Sequence, residues 1–200
     1  MSAAAPDIAS PLHREIAACT VCADKLEHGV RPVVQFSATS RILIIGQAPS
    51  STVHRTGVPW DDDSGERLRG WLAMDRAAFY DPARVALVPM GFCYPGPAKG
   101  GDNPPRPECA PLWHNRVLAH LPEDRLTVLL GTYAQAAYLP DTKRLTITAR
   151  IERLRDDFEA FEGVIPLPHP AWRARLWMGR HEWFDTDILP RLRRAIAERL

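Results

Sequence analysis

The sequence predicts a single α/β domain of three layers, with a central four-stranded, mainly parallel sheet flanked by helices. Three observations carry this prediction. Four short, mostly apolar runs occur at 41–45, 85–88, 126–130 and 164–167. Runs that short without alternation read as strands buried on both faces. Stretches of helical period separate them, which spells repeated βαβ units. Finally, the glycine or polar punctuation follows each run rather than preceding it. Gly46 to Ser50, Gly91 to Cys93, Gly131 and His169 should therefore gather along one edge of the sheet. Open α/β sheets bind ligands at that carboxyl edge.

Taken in order, residues 1–10 are small, polar and interrupted by proline, and read as a loose tail ahead of a domain over 11–200. Residues 11–18 suit a short helix leading into Cys19-Thr-Val-Cys22, and 23–40 are mostly loop. The strand at 41–45 exits through Gly46-Gln47-Ala48-Pro49-Ser50. Residues 51–65 hold no regular period and read as a long loop. Ser64 is the expected N-cap of a helix over about 65–74, with Leu68, Trp71 and Leu72 at helical spacing. After the second strand comes a Gly/Pro-rich segment, 91–107, and then a helix over 111–121. The third strand stops at Gly131 and passes into a short helix over 133–139. Residues 140–162 are charged, with strand character around 145–148. The fourth strand ends at Pro168-His169-Pro170, and a last amphipathic helix carries Ile188, Leu189, Leu192 and Ile196 on one face.

The 200 residues are 46% hydrophobic and 24% charged, an ordinary globular composition. Nineteen prolines point to long, stiffened loops. A net charge of only +1 excludes a generally basic nucleic-acid binder while leaving room for a local basic face. No apolar stretch has the length of a membrane span and the start has no signal-peptide core, so a cytoplasmic, reducing setting is expected. Four cysteines then need a reason other than disulfides.

They fall into two pairs, Cys19-x2-Cys22 and Cys93-x15-Cys109, the second spanning a loop able to fold back on itself. Four sulfurs suit one all-cysteine site, a [4Fe–4S] cluster or Zn²⁺, and spacing alone does not separate the two. Buried free thiols are the simpler alternative.

The order of motifs is more specific than any one of them. A strand ends in Gly-x-Ala-Pro-x; then come Arg55-Thr56-Gly57-x-x-Trp60-x-x-Asp63-Ser64-Gly65, a strand leading to the Cys-x15-Cys loop, and a strand ending in His169-Pro170. This order resembles the uracil-DNA glycosylase superfamily over about residues 19–198, particularly its iron–sulfur families four and five. The resemblance implies a DNA repair enzyme that flips uracil, or a related deaminated base, from DNA and hydrolyses its N-glycosidic bond. It also implies a four-stranded parallel sheet and favours a structural [4Fe–4S] cluster on Cys19, Cys22, Cys93 and Cys109 over zinc. The chain departs from the family at two places. Gln47 stands where family four usually has an acid, and Pro89-Met90-Gly91 stands where an asparagine often reads uracil.

Glycosidic cleavage builds positive charge on the sugar and negative charge on the departing base, and needs a water behind the sugar. By the resemblance, His169 donates a hydrogen bond to the base oxygen, Trp60 stacks on the flipped base, and Asp63 of Asp61-Asp62-Asp63 serves the water. For each a blander role exists: a loop histidine, a core tryptophan, an acidic patch favourable at a helix start. Gln47 is no base, but its amide can orient a water. Gly46, Ala48 and Pro49 edge the base pocket. Ser50, Arg55, Lys99 and Arg173 are the expected DNA contacts, with Arg173 or Trp172 able to wedge into the gap left by the base. The basic clusters at 150–155 and 191–194 read as solvated helix faces. No lysine is placed for a Schiff base, so a monofunctional enzyme acting as a monomer on uracil-containing DNA, with no membrane partner, is expected. The rival is a non-catalytic iron–sulfur protein that binds damaged or single-stranded DNA. A zinc-stabilised domain acting on a small nucleobase compound is the weaker third.

Overall fold

The computed structural model describes residues 10–142, 144–161 and 163–200; the expected N-terminal tail therefore lies almost wholly outside the described residues. Strands β1 (Ile42–Ile45), β2 (Val85–Leu87), β5 (Leu126–Leu130) and β6 (Val164–Leu167) form one sheet in the order β2-β1-β5-β6, every pairing parallel. A two-stranded antiparallel hairpin, β3 (Pro97–Ala98) and β4 (Gly101–Asp102), stands apart from it. The helices are α1 (Pro11–Ala17), α2 (Ser51–Thr56), α3 (Asp63–Leu72), α4 (Arg76–Phe79), α5 (Cys109–Leu118), α6 (Gly131–Tyr138), α7 (Ile147–Asp156), α8 (Ala174–Met178) and α9 (Leu189–Ala197).

The apolar runs do what their composition dictates. Every residue of β1, β2 and β5 is buried, and successive side chains go to opposite faces. Ile42 and Ile44 join a core with Leu68, Trp71, Leu72, Ile151, Leu154, Leu192 and Ile196, which come from α3, α7 and α9. Leu43 and Ile45 join the other core with Ile16, Phe36, Trp113, Val117 and Ala134, largely from α1, α5 and α6. Helices thus cover both faces, as the three-layer prediction requires. Pro166 sits within β6 because β6 is an edge strand paired only with β5, where a missing N–H is tolerated. The opposite edge is closed by Gln35, whose backbone exchanges two hydrogen bonds with Leu87 (3.0 and 2.7 Å).

Several local expectations are corrected. The segment after Ser50 is not a long loop: Ser50 caps α2, its hydroxyl accepting from the Val53 N–H at 3.3 Å, and Gly57 ends that helix in the left-handed conformation. The next helix starts earlier than expected, capped by Asp62 rather than Ser64. Residues 145–148 are not a strand. Thr146 caps α7 by accepting from the Ala149 N–H at 3.1 Å, so the β-branched residues open a helix instead. Arg150 is no solvated cation: it is 4% exposed and donates to Thr142 Oγ1, the Thr142 carbonyl and Gln135 Oε1. Gln135, fully buried, in turn donates to the Leu129 and Leu167 carbonyls. That chain satisfies strand-end acceptors of β5 and β6 that water does not reach.

Candidate active site at the carboxyl edge of the sheet

The strand ends converge as the punctuation predicted. Gly46, Gln47, Ala48, Pro49 and Ser50 after β1, Trp60 and Asp62 before α3, and His169 after β6 line one cavity of about 510 Å³. Across it the hairpin contributes Gly100, Gly101 and Asp102, and the loop after His169 contributes Trp172 and Arg173. The cavity sits where β1 lies between β2 and β5, the point at which the strand order reverses.

The exit loop of β1 extends the sheet's hydrogen bonding: Met90 N–H donates to the Gly46 carbonyl at 2.9 Å and Gly91 N–H to the Gln47 carbonyl at 3.0 Å. The Gln47 side chain donates from Nε2 to the Asn103 carbonyl at 2.9 Å. One N–H of its amide therefore anchors the hairpin, leaving the amide oxygen and the second N–H for a water or ligand.

The three adjacent aspartates point three ways. Asp61 pairs with Arg76 (3.1 Å). Asp63 is exposed, and the cavity lining includes Asp62 but not Asp63. Asp62 accepts from the Ser50 hydroxyl at 2.7 Å and from the Gly65 N–H at 3.0 Å. One carboxylate thus caps α3 and faces the cavity, and it is Asp62, one residue before the expected Asp63. Sequence could not choose between them, because Asp62, Asp63 and Ser64 are all good N-caps. Ser50, expected on a phosphate, has its hydroxyl proton committed to Asp62.

Burial pushes the His169 imidazole pKa below its ordinary value, with the negative charge of Asp62 opposing the shift. The ring is neutral at pH 7 and can donate from one nitrogen. It lies 5.7 Å from the Trp60 ring, tilted by 31°. Its loop is held from outside by Arg67, which donates to the Pro170 carbonyl at 2.5 Å. Trp60 is partly buried and packs directly over Gly46, where an added Cβ would lie 2.7 Å from the indole.

Of the expected DNA contacts, Arg173 lines the cavity and donates to the Gly100 carbonyl at 2.9 Å, bridging the mouth. Trp172, 63% exposed, lies beside it with the Arg173 guanidinium 5.0 Å from its ring. Lys99 occupies the exposed hairpin turn, and Arg55 is exposed on α2; neither lines the cavity. Asp102 was missed by sequence reasoning, since nothing in 91–107 marks a hairpin that returns over the site. Partial withdrawal from water raises its carboxyl pKa, and Asp62 adds to the rise against an opposing hydrogen bond from Tyr94.

The cysteines lie apart from this cavity. Cys19, Cys22, Cys93 and Cys109 line one recess with Leu26, Phe92 and Trp113. Among the described residues, no group of three or more His, Cys, Asp or Glu is arranged to hold a metal ion. Phe92 N–H donates to Cys109 Sγ at 3.3 Å. Glu108 binds Arg106 (2.9 Å) and Lys25 (2.6 Å), tying the N-terminal segment to the loop before α5, and these cations drive its carboxyl pKa down to about 2. Among the described residues, no helix is long and apolar enough to cross a membrane.

The model of the Uracil DNA glycosylase superfamily matches residues 33–193, so it covers the whole sheet and every residue of the cavity while leaving Cys19 and Cys22 outside. With that match over most of its length, the chain belongs to the uracil DNA glycosylase superfamily.

Proposed function

We propose that this protein is a monofunctional DNA glycosylase that hydrolyses the N-glycosidic bond of uracil, or of a related deaminated base, flipped into the cavity. The observation that carries this reading is the convergence on one cavity of Trp60 and Asp62, from the segment before α3, with His169, from the distant end of β6. A flipped base stacks on the Trp60 indole. Neutral His169 donates to the base oxygen on which negative charge grows as the C1′–N bond breaks. Asp62, held by Ser50 and Gly65, orients a water toward C1′ and takes its proton as the new C–O bond forms. The departing base takes up a proton from solvent. Gln47 contributes its amide oxygen to the water's surroundings, so its lack of an acid leaves the mechanism with Asp62 as the carboxylate. Trp172 and Arg173 at the mouth suit the gap left by the base and a flanking phosphate.

The subtype reading is that of the iron–sulfur families. Four cysteines around one apolar recess fit a [4Fe–4S] cluster, since a cluster takes sulfurs spread around a body larger than one ion. Bound there, the cluster would supply no chemistry to the cavity; its four ligands would tie the segment before β1 to the loop after β2.

The test is incubation of the purified protein with end-labelled, uracil-containing single- and double-stranded DNA. Alkali-sensitive breaks at uracil, with free base released, are expected; binding without base release would replace the enzyme by a non-catalytic DNA-binding protein. Anaerobically purified protein should carry iron and sulfide and absorb visible light, and a Cys93→Ser change should lower both metal content and soluble yield. One zinc per chain and no colour would overturn the cluster.

A further inference from the structure

Trp60 is held in a backbone conformation that tryptophan does not choose. Its φ is +57°, in the left-handed region where Cβ crowds the backbone. Such a residue persists only where its surroundings over-determine it. Here they do so at a single atom. The Trp60 carbonyl accepts from Arg69 Nη1 at 3.2 Å and from the Tyr80 hydroxyl at 3.2 Å, and the same Arg69 nitrogen lies 3.2 Å from that hydroxyl. Arg69 is 8% exposed, and its guanidinium sits over the rings of Phe79 (5.5 Å) and Tyr80 (5.7 Å). A buried cation spent on a main-chain oxygen is a costly way to end a loop.

The space around that carbonyl is equally committed. A Cβ on Gly65 would lie 1.8 Å from the Trp60 carbonyl oxygen, so only glycine leaves room for it. On the cavity side, Gly46 is bare where the indole packs, at 2.7 Å from the position of a Cβ. The turned-in backbone therefore directs the indole onto the end of β1, beside His169. Without the left-handed turn, the chain would leave residue 60 on the path from α2 to α3 with its side chain elsewhere.

We propose that Arg69 and Tyr80 are positioning residues for base recognition: by gripping the Trp60 carbonyl, they hold the indole as the stacking wall of the cavity. The proposal rests on the glycosylase reading for its consequence in cleavage, and on geometry alone for the placement of the ring. Tyr80 acts as a neutral donor, since burial raises its phenol pKa. Arg69 and Tyr80 come from α3 and the end of α4, so the grip joins three segments at the rim of the core.

The experiment uses full-length protein labelled with 5-fluorotryptophan, which gives six ¹⁹F lines for its six tryptophans; Trp60→Phe assigns the line of residue 60. In Tyr80→Phe and Arg69→Gln the Trp60 line should shift while the other five hold. The same variants should slow single-turnover cleavage of uracil-DNA by about tenfold, consistent with loss of precise placement. In a Trp60→Ala background neither change should slow cleavage further, because both act through the ring. Should Arg69→Gln shift all six lines, Tyr80→Phe, which deletes one hydroxyl, decides alone. An unmoved Trp60 line in Tyr80→Phe overturns the proposal. So does a Tyr80→Phe loss as large on Trp60→Ala as on wild type. If wild-type protein leaves uracil-DNA intact, the glycosylase reading falls, and the ¹⁹F comparison still decides whether the two residues hold the ring.

Discussion

One wall of the cavity is made of buried strand ends and the residues that cap them; the other is a hairpin whose four strand residues are all exposed. On the first wall, Asp62 has two donors, the loop carrying His169 is braced by Arg67, and the exit loop of β1 is laddered to the loop after β2. On the second, the hairpin is attached through Gln47 to the Asn103 carbonyl, through the Asn103 side chain to the Pro95 and Pro97 carbonyls, and through Arg173 to Gly100. The difference separates two tasks. Groups that must meet a transition state belong on rigid elements, whereas a mouth that admits a nucleotide needs bonds that open readily. An exposed hydrogen bond such as that of Arg173 is worth only about 1 kcal/mol.

If that division holds, the largest loss comes from the rigid wall. His169→Ala should slow single-turnover cleavage by about 10² to 10³, the usual effect of losing one donor to a developing oxyanion, with affinity for an abasic duplex nearly unchanged. Equal losses in rate and affinity would make His169 a ground-state contact. Ser50→Ala comes next. It frees Asp62 from its 2.7 Å partner and weakens the cap of α2, so a rate loss of about tenfold is expected with a stability loss of about 1 kcal/mol. A melting change without a rate change would detach Ser50 from the chemistry.

Acid should act through the buried histidines. The pKa values of both His169 and His114 are pushed down by burial, so the unfolded chain binds protons more readily than the folded one. Their stability contribution is therefore full above the unfolded value of about 6.5 and is lost as pH falls below it. Denaturant melts at descending pH should show that decline, while the cleavage rate should not rise through the same range, because His169 works as a neutral donor. A rate that climbs as pH falls would require the charged ring. The smallest effect belongs to the second wall. Arg173→Ala should weaken DNA binding a few-fold and reduce the salt dependence by about one phosphate, with little change in the rate of bound substrate. A rate loss approaching that of His169→Ala would place Arg173 among the reacting groups.

The two walls also differ in how legible they were. The strands of the first are mostly apolar runs, and burial on both faces leaves such runs few other fates. Their polar ends, Gly46 to Ser50 and His169, could be assigned to one edge from chain order alone. The hairpin carried no such signal, being two residues per strand and exposed on both. Within the first wall, α2 escaped notice because six residues give too little period, although Ser50 ahead of it is a good cap. Residues 145–148 looked extended because β-branched residues favour strands, yet Thr146 serves as a cap. Arg150 looked solvated by its charge, but acceptors on partly buried Thr142 and buried Gln135 hold it inside. Asp62 could not be told from Asp63 by residue type; Gly65, the donor that reaches it, makes the distinction only in three dimensions.

That distinction gives the most direct test of the claim that chemistry resides on the rigid wall. Single-turnover cleavage of uracil-DNA should be measured for Asp62→Asn and Asp63→Asn side by side, with folding checked by thermal melting. Asparagine keeps the shape and the capping oxygen of residue 62 while removing its charge, so both variants should fold. The account predicts a fall of about 10² or more for Asp62→Asn, the range of general-base loss, and a change of no more than about twofold for Asp63→Asn, an exposed acid on the far side of the cap. The reverse order, or two variants as fast as wild type, would contradict it.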